Sequence, residues 1–181
     1  MEIYKLKFTK LQLEILSLLF IKSGTSFNER RLANQLQVSP TGVSKSLPKL
    51  EKENLIKVKK DVDSKRLSIE LNKDNPFVFY LKRVENLRLL YESGLVDYLT
   101  ENFPGLTIIL FGSYSFGEDI NNSDIDIAII GSKERSIDLG RFNKLLERTI
   151  SLQFYESFRE INKNLKANIL NGIVLKGGIQ L

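Results

Sequence analysis

The sequence predicts an α/β protein of the α+β type, with a helical first half ending in a hairpin and a second half built on a small mixed sheet. Residues 9–52 contain three segments whose apolar residues recur at helical spacing. Residues 55–71 contain two alternating runs around a polar turn, which is typical of a hairpin. After residue 105, two continuous apolar runs rich in β-branched residues predict buried strands.

Composition excludes several classes of chemistry. The chain of 181 residues contains no cysteine and no histidine, which excludes disulfides, thiolate metal sites, cysteine nucleophiles and imidazole general bases. A metal ion must therefore be held by oxygen atoms, which favours Mg²⁺, Mn²⁺ or Ca²⁺. The N-terminus has no apolar signal core, and no apolar run reaches the length of a membrane helix, so we expect a cytoplasmic protein.

The three helices of the first half have recognisable start signals. Thr9 and Asn28 are predicted N-caps of the first two helices, and Ser39 followed by Pro40 is predicted to open the third. Pro48 removes one backbone hydrogen bond and is expected to bend the third helix. The residues of the third helix predicted to face inward are Val43, Leu47 and Leu50.

Three helices followed by a basic hairpin resemble the winged helix-turn-helix transcription regulators, over about residues 8–72. Residues 1–75 carry 15 Lys and Arg against 9 Asp and Glu, a net charge of +6, whereas the remainder has a net charge of −1. The resemblance and the charge imply binding to double-stranded DNA. A solvated basic surface, or a module that only contacts proteins, are the alternatives.

The resemblance also implies which residues would contact DNA. The exposed face of the third helix would enter the major groove, and the tip of the hairpin would contact phosphates. The predicted DNA-binding residues are Thr41, Ser44, Lys45 and Lys49 on the helix, with Lys59, Lys60, Lys65 and Arg66 at the hairpin.

Residues 77–101 have apolar residues at helical spacing and are predicted to form one long helix after Pro76, with a break near Gly94. This helix is a rigid connector, the first helix of the second domain, or a helix that pairs in a homodimer. We therefore place the first domain at 1–75, the connecting helix at 76–104 and the second domain at 105–181.

The stretch "LFGSYSFGEDINNSDIDIAII", residues 110–130, contains the residues with the strongest chemical implication. Gly112 and Ser113 follow a buried strand and open a turn whose backbone N–H groups favour a phosphate. Asp124 and Asp126 share one face of the next buried strand, where two carboxylates repel each other. A magnesium ion that bridges both carboxylates to a triphosphate would remove this repulsion.

This constellation resembles the nucleotidyltransferase superfamily related to DNA polymerase beta, and in particular the minimal nucleotidyltransferases of prokaryotes, over about residues 105–156. The resemblance implies transfer of a nucleoside monophosphate from a nucleoside triphosphate to a hydroxyl acceptor, with Mg²⁺ or Mn²⁺ as cofactor. Gly112 and Ser113 would bind the nucleotide, and Asp124 and Asp126 would be catalytic and hold the metal. The alternatives are a catalytically weak or inactive nucleotide-binding transcription regulator and an antitoxin-like partner protein.

The family places a third carboxylate on a neighbouring strand, and the corresponding position here is not acidic. On the predicted strand at 149–156, the face expected to meet the two aspartates carries Thr149, Ser151, Gln153 and Tyr155. Glu156 has the opposite parity and would reach the site only through a bulge. We therefore expect nucleotide binding with slow or absent turnover. An amphipathic helix ending near Asn171 and a short strand at 173–175 complete the predicted fold.

Overall fold

The computed structural model describes residues 7–60 and 67–179. The chain forms two compact units that divide between Val78 and Phe79. No helix in these described ranges is both long and apolar enough to cross a membrane.

The first unit begins with three helices. They are α1 (Lys10–Ile21), α2 (Glu29–Leu36) and α3 (Pro40–Lys52). Thr9 forms a capping box with Gln12, and the side chains of Asn28 and Ser39 each accept a backbone N–H bond from the first turn of their helix. All three predicted N-caps are therefore confirmed.

A two-stranded antiparallel hairpin follows the helices. Its strands are β1 (Ile56–Lys60) and β2 (Leu67–Leu71), with Ile56 opposite Leu71. Phe27 adds a single bridge to Ile69 on the outer side of β2. Helices followed by a hairpin that pairs back to the segment before α2 make a winged-helix architecture, as predicted.

Helix α3 packs through the residues that the sequence assigned to its inner face. Val43, Leu47 and Leu50 are all buried, and the helix continues through Pro48 to Lys52. Because these side chains are buried, the opposite face of α3 is exposed to solvent.

The segment between the hairpin and the sheet of the second unit forms two helices. Helix α4 (Pro76–Glu92) and helix α5 (Leu95–Asn102) are separated at Gly94, whose φ is +74°, so the predicted break is confirmed. Leu90 and Leu99 are fully buried in the core of the second unit. Most of the segment expected to connect the domains therefore packs as part of the second one.

A four-stranded mixed sheet forms the centre of the second unit. Its strands are β3 (Thr107–Phe111), β4 (Ile125–Ile130), β5 (Ile150–Tyr155) and β6 (Ile173–Lys176). The order is β5-β4-β3-β6, with β4 and β5 parallel and the other neighbours antiparallel. The predicted mixed sheet is confirmed.

The remaining helices of this unit are α6 (Gly112–Phe116), α7 (Gly140–Leu146) and α8 (Lys163–Leu170). One sheet face packs on α4, α5 and α7 through residues such as Ile127 and Phe142. The other face packs near α8 through Ala128 and Ile169. Because side chains alternate along a strand, Asp126 shares the face of Ala128.

Candidate functional site

The turn after β3 brings backbone close to a carboxylate. Gly112 follows Phe111 directly and has a φ of +71°. A Cβ atom placed at Gly112 would lie 2.7 Å from Asp126 Oδ2. The left-handed backbone favours glycine here, and a Cβ atom would in addition displace the Asp126 carboxylate.

The two predicted metal-binding aspartates lie at the start of β4. Asp124 immediately precedes the strand and Asp126 is its second residue, with the fully buried Ile125 between them. Asp126 pairs with Phe111 in the antiparallel ladder, which sets the carboxylate beside the Gly112 turn. Burial, with a further contribution from the charge of Asp124, raises the pKa of Asp126 above its usual range.

Two carboxylates suit a Mg²⁺ ion whose other ligands are phosphate and water, and not a metal ion that protein atoms alone enclose. In the part of the chain that the structure describes, no cluster of three or more acidic side chains could hold a metal ion. Mg²⁺ is commonly bound by one or two carboxylates, with substrate phosphates and water as the other ligands. A cation would also relieve the electrostatic cost that raises the pKa of Asp126.

On the strand beside Asp126, a serine and not a carboxylate is level with that residue. In the parallel pairing of β4 with β5, Asp126 is level with Ser151, and Ala128 with Gln153. The Tyr155 hydroxyl donates a 2.8 Å hydrogen bond to Gln153 Oε1, farther along the strand. Ser151 is thus the residue of β5 that is level with Asp126, the second of the two predicted metal ligands.

Glu156 lies at the other end of this strand. The pairing of β5 with β4 keeps a continuous register from Ile150 to Tyr155. Glu156 follows Tyr155 and forms a 3.5 Å ion pair with Lys133. The register therefore provides no bulge that would bring Glu156 to Asp126, and the alternative that depended on one is wrong.

A buried ionic network lies behind the site. The carboxylate of Asp119 accepts hydrogen bonds from the Lys82 ammonium and, at 2.8 Å, from the Asn86 amide. The same amide nitrogen donates to the Tyr114 carbonyl in α6 at 2.9 Å. Lys82 and Asp119 are at most 2% exposed, so these charges are almost fully removed from water. Burial, with the nearby charge of Asp119, raises the pKa of the Tyr114 hydroxyl.

Arg148 extends this network to the start of β5. Its guanidinium approaches Asp119 Oδ2 at 3.5 Å and donates to the Asn121 carbonyl at 2.8 Å. The buried carboxylate of Asp119 therefore connects Lys82 and Asn86 on α4 with Arg148 at the start of β5. Through these partners it also connects the turn at α6 and the loop before Asp124.

Gly117 fixes the loop against α4 as well. Its φ is +76°, and a Cβ atom there would collide with the backbone carbonyl of Phe79. The loop that separates the Gly-Ser turn from Asp124 is thus held on both sides by backbone packing and by buried charge.

The sequence did not reveal the role of Lys82, Asn86 and Arg148. Their partner Asp119 lies 37, 33 and 29 residues away along the chain. The available signal was the spacing of Lys82 and Asn86 from Val78 and Leu90, both buried on the inner face of α4. A lysine at such a position requires a buried partner.

The predicted DNA-binding residues of α3 lie on its exposed face. Thr41, Ser44 and Lys45 are exposed. Lys49 is also exposed, but its ammonium contacts the Lys7 carbonyl and lies 5.5 Å from the centre of the Phe8 ring. Lys49 therefore also stabilises the segment before α1.

The wing residues are partly described. Lys59 and Lys60 are exposed at the end of β1, and Lys59 forms a 3.7 Å ion pair with Glu70. Lys65 and Arg66 lie outside the described residues, as does the tip of the hairpin.

Comparison with known proteins assigns the second unit to a class. Residues 94–178 match the model of the family described as polymerase beta, nucleotidyltransferase. The C-terminal part of the chain is therefore a nucleotidyltransferase domain of the polymerase beta type, which confirms the resemblance seen in the sequence. The chain is also 45% identical over 47 residues to the protein adenylyltransferase MntA of Shewanella oneidensis, a match that covers 25% of this chain and 34% of that protein.

Solved structures of bacterial regulators also align with the chain. The adhesin competence repressor AdcR of Streptococcus pyogenes aligns with a TM-score of 0.42 and 22% identity, over 54% of this chain and 69% of that one. The MepR–DNA complex of Staphylococcus aureus aligns with a TM-score of 0.39 and 22% identity, over 52% of this chain and 77% of that one. The winged-helix assignment here rests on the helices and hairpin themselves.

Proposed function

We propose that the second unit binds a nucleoside triphosphate with Mg²⁺ and transfers the nucleoside monophosphate to a hydroxyl acceptor. One observation carries this proposal: the Gly112 backbone lies against the Asp126 carboxylate, and the charge of Asp124 acts on that same carboxylate. The turn would bind phosphate and the two carboxylates would hold a metal ion, so that the ion and a triphosphate would complete each other's coordination.

Each residue has a distinct role in this proposal. The N–H groups of Gly112 and Ser113, with the Ser113 hydroxyl, hold the β- and γ-phosphates. Asp124 and Asp126 hold Mg²⁺, which would neutralise charge that develops at the α-phosphate. Asp119 holds the loop between these two elements through its buried bonds to Lys82 and Asn86.

Incubation with Mg²⁺ and each α-labelled nucleoside triphosphate tests the proposal. The label should move to an acceptor, and pyrophosphate should be released only when Mg²⁺ is present. The variant with both Asp124→Asn and Asp126→Asn should release none. Equal release by this double variant and by the wild type would contradict the assignment of the site.

The relative from Shewanella oneidensis is named a protein adenylyltransferase, so ATP as donor and a protein hydroxyl as acceptor are the first combination to test. The match spans about a third of that relative, so the acceptor is a proposal for this chain. An antitoxin-like role, in which the acceptor belongs to a partner protein, is consistent with the same chemistry.

A second proposed function is binding of duplex DNA by the first unit, as a transcription regulator that acts alone or as a homodimer. The observation that favours it is the exposed polar face of α3, where Thr41, Ser44 and Lys45 lie together. Lys59 and Lys60 add positive charge at the hairpin. In this case the second unit would be a weak or inactive nucleotide-binding module, an alternative favoured by Ser151 in place of an acid.

A further inference from the structure

A cavity opens beside Asp124, where the loop before β4 meets the turn before β5. Its volume is about 370 Å³. Its walls are formed by Asn121, Asn122, Ser123, Asp124, Glu147, Arg148 and Thr149. The Ile125 N–H donates to the Thr149 carbonyl at 2.8 Å, which ties the two walls together. Because Asp124 belongs both to the metal position and to this wall, a molecule in the cavity would lie next to the reacting phosphate.

The wall suits a neutral polar molecule. Two asparagine amides and the hydroxyls of Ser123 and Thr149 supply donors and acceptors without charge. Asp124 and Glu147 would repel an anion. Arg148 does not reverse this, because its buried guanidinium donates to the carbonyls of Asn121 and Glu147 and approaches Asp119.

Glu147 ends α7 at this wall. It is the C-cap of the helix, with the left-handed φ of +51° with which many helices end, as α2 does at Gln37. Its carbonyl accepts a 3.0 Å bond from Arg148 Nη1, and its N–H donates to the Asn143 carbonyl. The side chain of Glu147 is exposed and lines the cavity.

We propose that this cavity is the acceptor site of the second unit, that it takes an uncharged hydroxyl compound, and that Glu147 receives the acceptor's proton. The proposal rests on the nucleotidyl transfer proposed above. The acceptor oxygen attacks the α-phosphorus and forms a new O–P bond. The bond from the α-phosphorus to the bridging oxygen breaks, pyrophosphate leaves with the electron pair, and the hydroxyl proton passes to the Glu147 carboxylate.

In this proposal the carboxylate that takes part in the reaction is that of Glu147, which lies outside β5. Ser151, level with Asp126, cannot accept a proton as a carboxylate does at neutral pH. Glu147 precedes the strand, and it lines the acceptor cavity without forming a three-carboxylate metal cluster among the described residues. In this proposal the role of Glu147 is that of a base.

Substitutions at Glu147 distinguish the role of its carboxylate from that of its backbone conformation. Glu147→Gln keeps the size of the side chain, and Glu147→Gly keeps the left-handed backbone. Both should lower pyrophosphate release, measured with water or glycerol as the acceptor probe, by about 100-fold or more. Glu147→Asp should retain part of the rate. The affinity for Mg²⁺ with nucleoside triphosphate, measured by calorimetry, should be unchanged in all three variants.

A blocked cavity provides a second test. The chain contains no cysteine, so Asn122→Cys introduces a single thiol in the wall. Reaction with N-ethylmaleimide should stop glycerol-dependent transfer and leave nucleotide affinity intact. Ala167→Cys, exposed on α8, is the matched control and should keep its rate after labelling.

The outcomes distinguish this inference from the proposed function. If the Glu147→Gln variant turned over at the wild-type rate, or if transfer were unchanged after labelling at position 122, the assignment of the acceptor site would be wrong. The proposal of nucleotidyl transfer would not be affected. Nucleotide binding by the wild type with no pyrophosphate release would also overturn the acceptor-site assignment, since Glu147 would then be present without acting as a base. Failure of the wild type to bind nucleotide would overturn both proposals.

Discussion

At the scale of single residues, the site combines two acidic side chains that destabilise each other with a glycine that keeps them accessible. Asp126 is partly buried at the start of β4, and its carboxylate oxygen lies where a Cβ of residue 112 would collide. Burial and the charge of Asp124 both raise the pKa of Asp126. The charged form of Asp126 therefore costs stability in the metal-free protein.

This cost predicts a pH-dependent gain in stability for Asp126→Asn. A carboxyl whose pKa is raised in the folded state destabilises the fold at pH values above that pKa, and the penalty fades as pH falls through it. Without metal, Asp126→Asn should raise the melting temperature at neutral pH, and the gain should vanish below about pH 4, where the unfolded carboxyl is also protonated. Thermal unfolding from pH 3 to 8 measures this. A gain that is the same at every pH would show that charge is not its cause.

Asp119 should behave in the opposite way. Its carboxylate is buried with Lys82, Asn86 and Arg148, so removing the charge leaves cations buried without their partner. Asp119→Asn should cost about 3–5 kcal/mol in the free energy of unfolding. Urea unfolding of this variant and of Glu101→Gln, an exposed control on α5, would measure the difference. A loss no larger than that of the control would show that the network does not stabilise the fold.

At the scale of elements, apolar pattern and capping chemistry predicted most of the fold. Thr9, Asn28 and Ser39 cap the helices as expected, because a cap depends on contacts only three residues away. The face of β5 that meets Asp126 was predicted, but the register that makes Ser151 level with Asp126 was not, because packing across the sheet fixes the register of a parallel neighbour. The inner face of α4 also differs from its apolar pattern, since Lys82 and Asn86 are buried while Tyr80 and Val84 are exposed.

The register of β5 predicts where a third carboxylate would act. Ser151→Asp places an acid level with Asp126, whereas Gln153→Asp places one level with Ala128. Ser151→Asp should lower the melting temperature without metal, because a third negative charge is added, and Mg²⁺ should restore it. It should also raise metal affinity and any residual transfer rate.

Gln153→Asp is the matched control and should respond less to Mg²⁺. Calorimetric titration and thermal unfolding with and without Mg²⁺ would compare the two variants. A stronger metal response from Gln153→Asp would mean that the register of β5 does not define the third position.

At the scale of the whole molecule, a basic winged-helix unit and a near-neutral nucleotidyltransferase unit share one chain. The net charge of +6 on residues 1–75 predicts duplex binding that weakens steeply with salt, since neutralised phosphates release their counterions. Replacing Lys59 and Lys60 by Ala should weaken binding about equally for all sequences. It should also lower the salt slope by roughly one for each phosphate that the variant no longer neutralises.

The helix residues should behave differently from the wing residues. Replacing Ser44 and Lys45 by Ala should change which sequence is preferred, because these residues lie on the exposed face of α3. Fluorescence anisotropy with several duplexes at several salt concentrations measures both effects. An affinity that does not depend on salt would contradict DNA binding through this unit.

The central claim is that Asp124 and Asp126 hold a metal ion that binds a nucleoside triphosphate together with the Gly112 turn. Calorimetric titration of the whole chain with each nucleoside triphosphate, with and without Mg²⁺, tests it most directly. The wild type should bind at least one nucleotide only when Mg²⁺ is present, and the folded double variant with Asp124→Asn and Asp126→Asn should bind none. Equal affinity in the wild type and the double variant, or wild-type binding that does not depend on Mg²⁺, would contradict the claim.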